Sequence, residues 1–170
     1  MELISNLESI SDHKTREYAF TAADFERIKN LIYKHAGISL SSSKQNMVYS
    51  RLARRLRANG LNNFNDYLNF LENGNPAEWE AFTNALTTNL TAFFREQHHF
   101  PILEKHSEKR KNQKKIQLWC SASSTGEEPY SMAMAMVEVF KTFTPPVHIL
   151  ATDLDTNVLS KAQLGIYQLD

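Results

Sequence analysis

A single cysteine, Cys120, stands in a chain of 170 residues. That excludes a disulfide framework and suits a reducing compartment. No apolar run approaches the ~20 residues that a membrane-spanning helix requires. The first residues, Met1-Glu-Leu-Ile-Ser-Asn-Leu-Glu-Ser-Ile-Ser-Asp-His13, carry acids and lack a basic stretch, so they do not read as a secretory signal. Net charge is missing too: 19 Lys and Arg balance 19 Asp and Glu, and only local patches can nominate a partner. A cytoplasmic protein is the expectation, in which the sequon Asn89-Leu-Thr91 has no meaning for glycosylation. What the chain does have is 42% apolar residues, with ten Phe, six Tyr and two Trp. That suffices for the core of one large domain or two small ones.

The first half carries helical periodicity. Residues 1–20 are polar and weakly patterned and are expected to form a mobile tail or a short helix. Thr21 reads as an N-cap, followed at helical spacing by Phe25, Ile28, Leu31 and Ile32 until Gly37. Ser42 or Ser43 can cap a second helix over about 44–59, which stops at Gly60. A third helix covers about 63–72, with Phe64, Tyr67, Leu68 and Leu71 as its stripe. Asn73-Gly-Asn-Pro76 is a turn, and Trp79, Phe82 and Leu86 mark a fourth helix. This half reads as an all-helical unit. The second half changes period. Ile116-Gln-Leu-Trp119 and Val147-His-Ile-Leu-Ala-Thr152 are short β-type runs, each followed by a helical pattern. Strand–helix–strand–helix implies a parallel sheet with right-handed crossovers, which places ligands at the carboxyl ends of its strands.

Both such ends carry unusual residues. After the first strand comes Cys120-Ser-Ala-Ser-Ser-Thr-Gly-Glu-Glu-Pro-Tyr130, a tight loop of small residues opening a helix. A phosphate-cradling loop wants several glycines and a Lys. This one has only Gly126, and Glu127 and Glu128 at the helix start would repel a pyrophosphate. A ligand with hydroxyls or positive charge fits better. After the second strand stands Asp153, where a carboxylate's two oxygens match adjacent ribose hydroxyls. Its other reading is a helix N-cap, a role that Asp155 can also fill. Together the two loops suggest an adenosine-containing ligand with a cationic remainder, and S-adenosylmethionine suits them better than NAD or ATP.

Ahead of the sheet lies Thr87-Thr-Asn-Leu-Thr-Ala-Phe-Phe-Arg95. With Trp119–Ser131 and Ala151-Thr-Asp-Leu-Asp155, it resembles the chemotaxis receptor glutamate O-methyltransferases of the CheR type, from about Thr21 to the last residue. The resemblance implies an all-α N-terminal domain followed by a partial α/β Rossmann-like methyltransferase domain containing the first two strand–helix units. Its implied divisions are a tail over 1–20, a receptor-docking domain over 21–85 and an incomplete S-adenosylmethionine-dependent domain over 86–170. Implied cofactor contacts fall on Asn89, Thr91, Arg95, Glu128 and Asp153, and Arg95 is the expected catalytic residue, orienting a carboxylate near the methyl group. Taken without the family, Arg95 beside Glu96 reads first as a surface ion pair, and the resemblance reverses that. A complete doubly wound sheet needs further strands, so the chain is expected to be a truncated form that binds cofactor weakly and turns over little.

Other residues are less telling. His98 and His99 raise the question of a metal, but neighbours on a helix point apart and no third ligand is spaced to join them. No metal is expected. Cys120 reads as a buried strand-end residue. The helix over 44–59 holds Arg51, Arg54, Arg55 and Arg57 without an acid. Its basic face is a solvated surface or, following the resemblance, a docking surface for the cytoplasmic helical domain of chemotaxis receptors; nucleic acid and membrane insertion are not expected. A non-catalytic receptor-binding module is the alternative to an enzyme.

Overall fold

The computed structural model describes residues 16–168. Residues 1–15 of the expected tail, and Leu169 and Asp170, lie outside the described residues. The chain divides into two compact units between Leu86 and Thr87.

Among the described residues, the first unit contains four α-helices: α1 (Ala22–Ala36), α2 (Gln45–Ala58), α3 (Phe64–Glu72) and α4 (Pro76–Leu86). Their boundaries follow from local chemistry. Thr21 Oγ1 accepts from the Asp24 amide while Asp24 Oδ2 accepts from the Thr21 amide, closing a capping box on α1. Gly37, at φ +70°, ends it in the left-handed conformation that glycine adopts without penalty. Asn63 Oδ1 caps α3 through the Asp66 amide, and Asn75 Oδ1 accepts from Ala77 at the start of α4. The second helix departs from expectation. Neither Ser42 nor Ser43 caps it; both lie in a 3-10 turn (Ser42–Lys44) that leads into α2 without a side-chain cap.

The apolar stripes converge on one core. Phe25, Ile28, Leu52, Leu56, Tyr67, Leu68 and Phe82 are essentially fully buried, and burying each large side chain contributes roughly 1.5–3 kcal/mol before entropy is counted. Residues 16–20 do not behave as tail. Phe20 packs on Phe64 with ring centroids 4.6 Å apart, and the Arg16 guanidinium lies 4.8 Å from the Tyr49 ring centre.

A charge also lies in this core. Glu78 on α4 is 4% exposed. Its Oε1 accepts from Arg55 Nε at 3.0 Å and Tyr67 Oη at 2.8 Å; its Oε2 accepts from Arg55 Nη2 at 2.6 Å and Asn59 Nδ2 at 3.0 Å. Burial pushes the Glu78 pKa up, but the hydrogen bonds from Arg55, Tyr67 and Asn59 outweigh it and hold the carboxyl below its ordinary 4.5. Four bonds satisfy a carboxylate that would be costly to bury alone.

The second unit contains α5 (His99–Glu108), β1 (Ile116–Cys120), α6 (Glu127–Phe140), β2 (Val147–Ala151) and α7 (Thr156–Leu164). The strands pair in parallel, with Ile116 opposite Val147 and Cys120 opposite Ala151. Helix α5 did not stand out in the sequence; Phe100, its buried anchor, packs in a cluster with Ala135, Met136 and Val139 of α6. One sheet face is buried or half-buried, through Ile116, Leu118, Cys120 and Ile149. On the other, the register partners Trp119 and Leu150 are 68% and 61% exposed.

Candidate functional site

The carboxyl ends of β1 and β2 and the segment 87–95 come together within the second unit. Asp153, just past β2, spends both carboxylate oxygens on backbone: Oδ2 accepts from the Ser124 amide at 2.8 Å and Oδ1 from the Asp155 amide at 2.9 Å. The loop after β1 is thereby tied to the turn after β2. A carboxylate has about four lone-pair sites, so Asp153 keeps acceptor capacity for adjacent hydroxyls. Asp155 is the N-cap of α7, its Oδ1 accepting from the Asn157 amide at 2.9 Å. The cap of α7 is thus Asp155 and not Asp153, two positions before it.

The loop is largely self-satisfied. The Ser123 amide donates to Thr152 O, the Gly126 amide to Ser123 O, and Thr125 Oγ1 to Glu127 Oε2. Glu127 is therefore engaged inside the loop, whereas Glu128 is exposed at the helix start. Gly126 is required twice over. Its φ is +104°, and a Cβ there would stand 2.5 Å from Tyr167 Oη and 3.0 Å from Ala162 Cβ. The glycine lets α7 and the segment after it close onto the loop.

The segment 87–95 is held at both ends. Asn89 Nδ2 and Thr87 Oγ1 donate to Asp155 Oδ2 at 2.6 and 3.1 Å, while Ser124 Oγ donates to Asn89 O at 3.0 Å. Farther along, the Phe94 amide donates to Ser131 Oγ on α6, at 2.9 Å. Phe94 and Glu96, on either side of Arg95, have φ of +53° and +54°, a conformation that side chains disfavour. Arg95 itself is exposed. One guanidinium nitrogen donates to Leu90 O at 2.7 Å, which leaves most of its fork for an incoming carboxylate. Thr91 is half-buried in the same segment.

Three expectations meet the structure differently. Cys120 is 3% exposed, and its thiol is pushed up to about 11, first by burial and then by the negative charge of Glu128. Glu128 therefore bears on the carboxyl end of β1, and Cys120 is no thiolate nucleophile. His98 and His99 do not point apart: their rings lie 4.2 Å apart, with His98 at the N-cap of α5. Among the described residues no group of three His, Cys, Asp or Glu side chains could hold a metal ion. The four arginines of α2 are not one free face. Arg55 is committed to buried Glu78, and Arg51 donates to Ala85 O at 3.1 Å; Arg54 and Arg57 are exposed. A helical wheel ranks Arg55 with its neighbours because it cannot register an acid arriving from another helix. Sequence reading also passed over Ser124, Ser131 and Thr87, each of whose side chains bonds to a group distant in the chain. A cavity of about 740 Å³ lined by Phe93, Phe94, Tyr130, Met134 and Tyr167 includes none of the polar site residues.

A parallel strand–helix unit with an acid at the second strand end and a small-residue loop after the first defines a Rossmann-like ligand-binding domain, here preceded in the chain by an all-helical one. Comparison with known proteins narrows the class. Residues 23–87 match the family model described as CheR methyltransferase, all-alpha domain, and residues 89–170 match the CheR methyltransferase SAM binding domain. The chain is 51% identical over 168 residues to the chemotaxis protein methyltransferase of Salmonella typhimurium, covering 98% of this chain and 58% of that protein. It is 51% identical over 155 residues to the Escherichia coli protein of the same name (91% and 54%), and 38% identical over 161 residues to that of Borreliella burgdorferi (88% and 56%). The chain belongs to the CheR methyltransferase family. It spans somewhat more than half the length of these relatives. Among the described residues no helix is long and apolar enough to cross a membrane.

Proposed function

We propose that this chain carries the cofactor-binding part of an S-adenosylmethionine-dependent methyltransferase that esterifies glutamate side chains of chemotaxis receptors. The observation that carries the reading is the juncture of Asn89, Ser124, Asp153 and Asp155, which brings the segment 87–95 to the carboxyl ends of two parallel strands. Asp153 receives the ribose hydroxyls. Asn89 and Thr91 supply further polar contacts, and Glu128 adds an acid at the start of α6. The absence of a lysine or a glycine-rich cradle in this loop agrees with a ligand that carries no phosphate.

Bound S-adenosylmethionine supplies an electrophilic methyl group. A glutamate carboxylate is ionised at neutral pH and is itself the nucleophile, so no general base is required. The work left to the protein is alignment and exclusion of water. Arg95 orients a carboxylate through its guanidinium fork, with the bond to Leu90 O and the two left-handed residues beside it limiting its freedom. Docking onto an acidic receptor surface falls to exposed Arg54 and Arg57, with half-buried Arg51 beside them; Arg55 serves the fold instead.

The reading is tested by incubating the chain with methyl-labelled S-adenosylmethionine and a cytoplasmic receptor fragment, under single-turnover conditions. Label should enter the receptor as an alkali-labile ester and should fail to enter when the acceptor glutamates are replaced by alanine. Alkali-stable label would assign a different acceptor chemistry. Receptor binding without any label transfer would favour a docking module, a reading that the acid-free α2 helix supports.

A further inference from the structure

The hydrogen bonds around Asp155 form a closed circuit. Asn89 donates its amide to Asp155 Oδ2; the Asp155 backbone donates to Asp153 Oδ1; Asp153 Oδ2 accepts from the Ser124 amide; and Ser124 Oγ returns to Asn89 O. Three stretches distant in sequence are locked together, and only one of the linking side chains is both charged and shut away from solvent. That is Asp155, 4% exposed. Capping α7 requires only Oδ1. Its second oxygen is turned to Asn89 and Thr87, accepting from them at 2.6 and 3.1 Å.

We propose that Asp155, beyond capping α7, is a positioning residue of the cofactor site: its carboxylate fixes which end of the Asn89 amide faces inward. A carboxylate can only accept, so Nδ2 must face it and Oδ1 is left as the acceptor presented to ligand. The ligand group at Asn89 must then be a donor, a hydroxyl or an ammonium, and the same circuit holds Asp153, the ribose acceptor, at a fixed offset from it. This inference rests on the cofactor reading above.

Asp155→Asn tests it. Asparagine caps a helix as well as aspartate does, so α7 and the melting temperature are retained. With Oδ1 still on the Asn157 amide, the new amide confronts that of Asn89, donor against donor. Affinity for S-adenosylhomocysteine, read by nuclear magnetic resonance titration, should fall at least tenfold. Asp155→Ser, which keeps a capping oxygen but is too short to reach Asn89, should match it. The exchanged pair Asn89→Asp with Asp155→Asn restores a donor–acceptor match and should recover most of the loss, an outcome that a capping role alone does not produce. Parent-like affinity in both single variants, or no recovery in a folded exchange variant, overturns the inference and leaves the cofactor reading standing. Absence of any ligand-induced shift in the parent at millimolar concentration overturns both.

Discussion

At Asp153 and Arg95 the division of labour is between a residue already bonded and one largely available. Asp153 holds two backbone amides and retains lone pairs toward solvent. Asp153→Ala therefore removes a loop tie along with the ribose acceptor. It should weaken S-adenosylhomocysteine binding at least tenfold and also speed hydrogen exchange of the Ser124 amide. Arg95 makes a single internal bond from an exposed position, so Arg95→Ala should sharply lower methyl transfer, by roughly two to three powers of ten if alignment of a carboxylate is lost, with the melting temperature unchanged. Near-parental transfer would show that the arginine is a surface residue. Cys120, with its thiol raised to about 11 by burial, should resist alkylation at pH 8 until the chain is unfolded. Rapid labelling of the native protein would mean that the end of β1 opens.

At the scale of elements, the Glu78 clasp joins α2, α3 and α4 through Arg55, Asn59 and Tyr67. Removing one partner strands the others, and Glu78→Ala should cost the helical unit about 3 kcal/mol, the lower end for a broken buried pair because Arg55 keeps some access to water. The pH dependence has a fixed sign. A carboxyl held below its ordinary 4.5 stabilises the fold above that value, and the contribution is lost as pH falls through the lower folded-state value. The stability gap between parent and Glu78→Gln, from denaturant titrations, should accordingly narrow as pH drops below 4.5. A gap that is flat or widens on acidification contradicts the clasp. These elements also show what the sequence made legible. Helical stripes announced α1 to α4, with Thr21 marking the start of α1, and β-type runs announced β1 and β2, because those signals are local. Helix α5 was not announced: it has one buried apolar anchor, Phe100, on an otherwise mostly exposed surface, and packing on α6 rather than its own pattern sustains it. Arg55 likewise looked like its neighbours until α4 brought Glu78 to it.

For the molecule as a whole, two compact units coincide with two family domains: helices α1–α4 with the all-alpha domain, and the two-stranded α/β unit with the cofactor-binding one. Asp153 and Asp155 were readable as acids between a strand and a helix, one suited to a ligand and one to the cap, whereas Asn89 came only from the resemblance. The circuit joining them was not, since three of its four bonds join residues far apart in the chain. The central claim is that segments 87–95, 121–128 and 152–155 form one site for S-adenosylmethionine. Titrating the isotopically labelled 170-residue chain with S-adenosylhomocysteine, and following every backbone amide, tests it most directly. The predicted result is saturable shifts concentrated in those three segments, even if saturation needs millimolar ligand. No shifts at that concentration, or shifts confined to α1–α4, would contradict it.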